Sequence, residues 1–148
     1  MAHPDRLNDT PSRIVAIDYG TRRVGLALAD PLHRFAQPYG TFNQDEAVQR
    51  LKDMHEREGL GTIVVGWPLL DSGAEGAAAG RVQQYINRLR KVLPGVCFEK
   101  WDEGYTSEEA KDRLAQSGRR VTRERIDTAA AGIILQEYLD CHAHKSSE

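Results

Sequence analysis

The sequence lacks the marks of a membrane-spanning or secreted protein. No apolar run approaches the roughly 20 residues that cross a bilayer, and residues 1–12 have no apolar core like that of a signal peptide. We therefore expect residues 1–12 to form a disordered leader, and we expect no membrane partner.

Cysteine is scarce as well, since Cys97 and Cys141 are the two in the chain. Their separation fits no metal-ligand motif. Cys97 lies in an apolar strand pattern, so we predict a packed thiol rather than half of a disulfide. This cysteine usage favours a cytoplasmic location.

An excess of basic charge is also missing, because the formal net charge is −2 at pH 7. Binding to nucleic acid would therefore depend on a local patch of positive charge. The length of 148 residues, with 40% hydrophobic and 28% charged residues, is typical of one globular domain. We place that domain at residues 13–140 and expect a flexible tail at 141–148.

Two apolar runs near the start, residues 13–18 and 23–30, predict a β-hairpin with Gly20 in its turn. The first run has no polar alternation, which is typical of a central strand that is buried on both faces. It ends in Asp18. An acid at this position either caps the turn or holds a cation or a substrate, and the hairpin alone leaves both interpretations open.

The rest of the chain alternates between strand and helix patterns. Asn43 and Glu46 form a capping-box pattern that predicts a helix as far as Gly59. The other expected elements are strands at 35–42, 62–66 and 96–101, a flexible loop at 69–80, and helices at 82–93, 106–116 and 122–139. This order predicts an α/β fold with a mixed sheet flanked by helices.

Acidic residues follow the predicted strands and begin the last helix. Asp18 ends the first strand, and Asp102 and Glu103 follow the last strand. The spacing in the last helix places Asp127 on one face with Ala131, Ile134 and Tyr138, and we expect this face to pack against the sheet. Gathered carboxylates favour a cation such as Mg²⁺ or Mn²⁺. Two such ions about 4 Å apart stabilise an in-line displacement at phosphorus. The alternative is that these residues are ordinary turn and helix-start acids.

Basic residues are concentrated late in the chain, where Asp112 and Glu124 are the only acids among fifteen residues. The basic members are Lys111, Arg113, Arg119, Arg120, Arg123 and Arg125. Arg22 and Arg23 follow the first acid. Arginines at the rim of an acidic site would suit a phosphodiester substrate, although a solvated helix face would have the same composition.

Four motifs occur in a characteristic order along residues 13–140. They are Asp18–Gly25, Val65–Leu69 with Gly73–Gly76, Asp102-Glu103, and Arg125–Ala131 with Ile133–Leu135. Together these motifs resemble those of the YqgF family, also called RuvX, within the RNase H-like superfamily.

The resemblance implies a mixed five-stranded sheet flanked by helices and a divalent-metal nuclease. It carries over Asp18, Glu103 and Asp127 as the acidic triad, with Asp102 as a neighbour. The family is associated with maturation of the 5′ end of pre-16S ribosomal RNA and is also described as a Holliday junction resolvase. One departure concerns substrate handling, because Gly104 stands where the family usually has arginine.

Three functions are compatible with these observations. The first is a metal-dependent ribonuclease that acts on precursor rRNA, with residues 119–125 on the backbone. The second is a junction-cleaving DNA nuclease, which would favour a homodimer over a monomer because a four-way junction needs two symmetric cuts. The third is a nucleotide-phosphate binding module, since Asp-x-Gly-Thr hairpins also hold ATP phosphates in larger two-domain folds.

Overall fold

The computed structural model describes residues 12–68, 76–102, 115–116 and 123–146. In the last segment the side chains are described from Thr128 to His142. Glu103, Gly104, Arg119 and Arg120 lie outside the described residues. So does the helix predicted at 106–116, except for its last two residues, which are helical.

The elements follow the predicted order along the chain. They are β1 (Arg13–Tyr19), β2 (Val24–Ala29), β3 (Ala36–Phe42), α1 (Gln44–Glu58), β4 (Leu60–Trp67), α2 (Ala77–Val92), β5 (Cys97–Asp102) and α3 (Arg123–Ser146). Within this described part of the chain, no helix is both long and apolar enough to cross a membrane.

The five strands form one mixed sheet in the order β3-β2-β1-β4-β5, which confirms the predicted sheet. β1 pairs antiparallel with β2 and parallel with β4, and β4 pairs parallel with β5. The carboxyl ends of β1, β4 and β5 therefore meet at one edge of the sheet. Loops at such an edge are where α/β folds place their sites.

Side chains alternate between the two faces of the sheet. Val15, Ile17 and Ile63 are fully buried in the core that α1 and α2 cover. Ala16 and Val64 are buried in the core that α3 covers. The first face carries the larger side chains, each of which stabilises the fold by about 1.5–3 kcal/mol when fully buried.

The smaller side chains of the second face let α3 pack closely. Ala131, Ile134 and Tyr138 of α3 are buried against it, so the helical face predicted from their spacing is confirmed. Asp127 lies one helical turn before Ala131 in the same helix.

Both ends of α1 are specified locally. The Asn43 side chain accepts a hydrogen bond of 2.7 Å from the Glu46 N–H, as the capping pattern predicted. At the other end Gly59 has a φ of +81° and donates its N–H to the His55 carbonyl. Glycine tolerates this left-handed conformation without steric cost.

The structure corrects two helix boundaries. α2 begins at Ala77 rather than after residue 80, because the alanines that suggested a loop are strong helix formers. α3 continues to Ser146, so most of the segment expected to be a flexible tail is helical.

The prediction of a packed Cys97 is wrong. Cys97 is an exposed free thiol, as is Cys141. It is the first residue of β5, which is one of the two edge strands of the sheet. An apolar run predicts burial for the interior of a sheet, whereas the end of an edge strand remains accessible to solvent.

Candidate active site

Asp18 lies near the carboxyl end of the central strand β1 and is half-buried. It is two residues beyond Ala16, which packs under α3. Because residues two apart in a strand share a face, the Asp18 carboxylate lies on the α3 face of the sheet.

A row of aligned residues connects Asp18 to α3. Asp18 pairs with Gly25 in β2, and Gly25 pairs with Thr41 in β3. The Thr41 hydroxyl is hydrogen-bonded to the hydroxyl of Thr128 in α3. Thr128 directly follows Asp127, so this contact holds the beginning of α3 over the row that contains Asp18. Gly25 leaves that row without a side chain between its two ends.

The turn after Asp18 depends on Gly20 for its shape. A Cβ atom at this position would lie 2.5 Å from the Arg23 carbonyl oxygen, which is backbone and has little freedom to move. Any larger residue would therefore shift the turn. The conformation of the chain just beyond Asp18 is fixed by this close approach.

Gln44 at the start of α1 holds the same turn from outside. Its Nε2 lies 2.9 Å from the Thr21 carbonyl oxygen, 3.2 Å from that of Gly20 and 2.9 Å from the Tyr19 hydroxyl. The sequence carried no signal for this role, because the contacts join residues more than twenty positions apart.

Two tyrosines couple the turn to α2. The rings of Tyr19 and Tyr85 lie 5.1 Å apart, and the Tyr85 hydroxyl donates a hydrogen bond of 2.8 Å to the Gln44 carbonyl. Burial raises the pKa of Tyr85, so its phenol keeps the proton that this hydrogen bond requires. The turn beside Asp18 is thereby attached to both helices on the other face of the sheet.

Asp102 lies on the face opposite to Asp18. It is aligned with Trp67 at the end of β4, and Trp67 is buried in the core under α1 and α2. Lys100, two residues earlier, places its ammonium 4.0 Å from the centre of the Trp67 ring. Partners in parallel strands share a face, so Asp102 and Asp18 project from opposite sides of the sheet.

Metal-binding side chains do not converge within the described part of the molecule. No group of three or more His, Cys, Asp or Glu residues that could hold an ion occurs among the described residues. Of the predicted triad, the structure describes the side chain of Asp18. Asp127 is described as a helical residue without its side chain, and Glu103 is outside the described ranges.

Among the predicted basic residues, the structure describes the side chains of some and not of others. Arg22 is exposed and Arg23 is half-buried in the turn that follows Asp18. Arg123 and Arg125 lie in the first turns of α3, again without described side chains.

Solved structures with the same fold include RuvC of Thermus thermophilus. RuvC in complex with a Holliday junction substrate matches with a TM-score of 0.56 and 11% identity over 90% of this chain and 97% of that chain. A second structure of Thermus thermophilus RuvC matches with a TM-score of 0.53 and 13% identity over 89% and 96% of the two chains. At these identities the likeness establishes the fold, and the protein is an RNase H-like α/β domain.

Sequence comparison gives the family within that fold. The family model described as "RuvX: Holliday junction resolvase" matches residues 12–141. A Salinibacter ruber protein named "Putative pre-16S rRNA nuclease" is 46% identical over 133 residues, which cover 87% of this chain and 93% of that protein. A Chlorobaculum tepidum protein of the same name is 44% identical over 135 residues, covering 88% and 95%. The chain belongs to the RuvX family.

Proposed function

We propose that this protein is a metal-dependent nuclease that cleaves phosphodiester bonds in precursor 16S rRNA, and that it acts in the cytoplasm. The relatives named above support the substrate, and the family supports the class of reaction. The observation that carries the proposal is the row from Asp18 through Gly25 to Thr41, with the beginning of α3 attached at its far end.

The residues on this row fit a hard divalent cation. Asp18 offers carboxylate oxygens, which suit Mg²⁺ or Mn²⁺ better than softer metals. Gly25 adds no side chain to the row beside it, and Asp127 belongs to the helix that Thr128 fixes over the row. When bound, such an ion would neutralise charge on the phosphate and lower the pKa of a bound water.

We assign the triad to Asp18, Glu103 and Asp127. The sequence alone left Asp102 and Glu103 as alternative acids after β5. The alignment of Asp102 with Trp67, on the face away from Asp18, supports Glu103 for this role. Asp18 would orient the ion at the end of the rigid central strand, where the Gly20 turn and Gln44 fix the backbone.

The arginines near the turn would hold the substrate. Arg22 and Arg23 come four and five residues after Asp18, in the turn at the end of β1, and would contact phosphates that flank the scissile bond. Arg119, Arg120, Arg123 and Arg125 would bind backbone further along. These contacts would be electrostatic and independent of sequence.

Cleavage of two substrates side by side tests the proposal. A 5′-extended precursor 16S RNA and a four-way DNA junction would be incubated with Mg²⁺ or Mn²⁺, with the wild type and with Asp18→Asn. We expect the wild type to cut the RNA and the variant to spare it. If neither substrate is cut with either metal, the proposed function is wrong.

Holliday junction resolution is the second candidate, because the matching family model carries that description and the RuvC fold supports it. It requires two symmetric cuts and therefore a homodimer on the junction. Cleavage of the junction alone, together with a dimeric mass in solution, would favour this function. A monomer that cuts RNA alone would exclude it.

A further inference from the structure

We infer that the exposed face of α2 is a second binding surface for the phosphate backbone of the nucleic acid, on the side of the sheet away from α3. This inference rests on the proposed function. It concerns residues that lie outside the predicted site, and it depends on three observations.

The first observation is the charge of α2. Its sixteen residues contain no acid, and its basic residues are Arg81, Arg88, Arg90 and Lys91. The neighbouring helix α1 packs on the same core but mixes five acids with three basic residues. The acids are Asp45, Glu46, Asp53, Glu56 and Glu58, and the basic residues are Arg50, Lys52 and Arg57. Helices on a solvated surface usually interleave charges in the manner of α1, because pairs of opposite sign three or four residues apart stabilise them. Because α2 contains no acid, it forms no such pair within the helix.

The second observation is the arrangement of the exposed residues. Arg81, Gln84, Arg88 and Lys91 are all exposed, and their spacing of three and four places them on one side of the helix. The opposite side of α2 packs into the core through Val82, Tyr85, Ile86 and Leu89. The stripe from residue 81 to 91 is about 15 Å long, which matches about four nucleotides of one duplex strand.

The third observation is continuity with the candidate active site. Arg81 lines a cavity of about 130 Å³ at the amino-terminal end of α2. The same cavity is lined by Tyr19, Gly20 and Thr21 of the turn that follows Asp18, and by Gly66 and Pro68 at the end of β4. A backbone that passes Asp18 and rounds the turn at Tyr19–Thr21 would therefore reach Arg81 and could continue along α2 on the other face of the sheet.

Small residues assist such an approach. Ala77, Ala78 and Gly80 are exposed in the first turns of α2 beside Arg81, so a phosphate could come close to the helix without meeting a bulky side chain. Arg88 already pairs with Asp45 across 2.6 Å on the surface. Exposed pairs of this kind contribute little stability and are readily exchanged for a phosphate partner.

A matched pair of variants tests the surface. Arg81→Gln/Lys91→Gln removes two charges from α2, and Lys52→Gln/Arg57→Gln removes two from exposed positions of α1. Binding to the precursor RNA and to the four-way junction would be measured from 50 to 200 mM salt, with Asp18→Asn in every protein to prevent cleavage. We expect the α2 variant to bind roughly tenfold more weakly, with a salt slope smaller by about two. We expect the α1 variant to bind like its parent.

The possible results separate the two proposals. The parent here is the protein that carries Asp18→Asn alone. If the parent binds, and the α1 and α2 variants both bind as tightly as the parent or are both weakened to the same extent, then the inference about α2 is wrong and the proposed function is unaffected. If the parent binds neither nucleic acid and the wild type cleaves neither, the proposed function fails and the surface fails with it. Equal thermal midpoints for all proteins would confirm that the substitutions leave the fold intact.

Discussion

The two faces of the sheet share the same strands but have different compositions. On the face covered by α1 and α2, β1 presents Val15 and Ile17, which are fully buried. On the face covered by α3, the same strand presents Ala16 and then Asp18. The first face gains its stability from large apolar side chains. The second carries small side chains where α3 packs on it. Under the proposed function, stability and chemistry are therefore divided between the two faces.

The largest effect expected on the α3 face is the loss of cleavage in Asp18→Asn. Removing a ligand charge should lower the rate by roughly 1,000-fold or more, which corresponds to about 4 kcal/mol of transition-state stabilisation. The thermal midpoint should change little, because Asp18 is half-buried at the end of its strand. Rates under saturating metal, with circular dichroism melting in parallel, measure both effects.

Asp102→Asn is the control for this variant, because it makes the same chemical change on the opposite face. Cleavage within a few-fold of the wild type is expected. If Asp102→Asn were as inactive as Asp18→Asn, the chemistry would not be confined to the acids on the α3 face.

The adjacent residue on the other face should behave in the opposite way. Ile17→Ala removes a fully buried side chain from the core and should lower the free energy of unfolding by about 2–5 kcal/mol. Cleavage per folded molecule should remain close to that of the wild type at a temperature where the variant is folded. Urea denaturation and an activity assay on the same sample measure the two effects. A stable but inactive Ile17→Ala protein would contradict the comparison.

A smaller effect is expected at the far end of the α3 face. The Tyr138 hydroxyl donates a hydrogen bond of 2.8 Å to the Glu99 carboxylate, and burial together with that bond raises the pKa of Tyr138. Tyr138→Phe should cost about 1 kcal/mol of stability and leave cleavage unchanged, because Tyr138 lies three helical turns beyond Asp127. Denaturant titration measures the cost. A marked loss of cleavage would mean that the chemistry extends along the whole face.

The smallest effect concerns the loop between β2 and β3, outside both faces. Backbone N–H groups, led by that of Phe35, hold the pKa of Asp30 below its usual range. Because the pKa of Asp30 is lower in the folded protein, the ionised carboxylate stabilises the fold. This contribution to stability is present above about pH 3.9 and is lost as the pH falls below that value. Asp30→Asn should therefore flatten the dependence of the thermal midpoint on pH below about 4. An unchanged slope in that range would contradict this role for Asp30.

Patterns close in the sequence predicted the corresponding parts of the fold. The apolar run before Asp18 gave the central strand, and the Asn43 capping pattern gave the start of α1, because each depends on neighbours within a few residues. The spacing of Ala131, Ile134 and Tyr138 gave the buried face of α3 for the same reason.

Features that depend on pairing between distant strands could not be predicted. The contact of Thr41 with Thr128 joins residues 87 positions apart, and no local pattern marks either of them. The face of Asp102 follows from its alignment with Trp67, which is known only when the register is known. Cys97 was predicted to be packed because its apolar neighbours gave no indication that β5 is an edge strand.

The position of a bound Mn²⁺ ion tests the proposed metal site most directly. Anomalous diffraction from crystals grown with Mn²⁺ should show a peak about 2.0–2.2 Å from an Asp18 carboxylate oxygen, on the α3 face, and the peak should vanish in Asp18→Asn. A peak beside Asp102, or no peak near Asp18 at metal concentrations that support cleavage, would contradict the assignment of the chemistry to the α3 face.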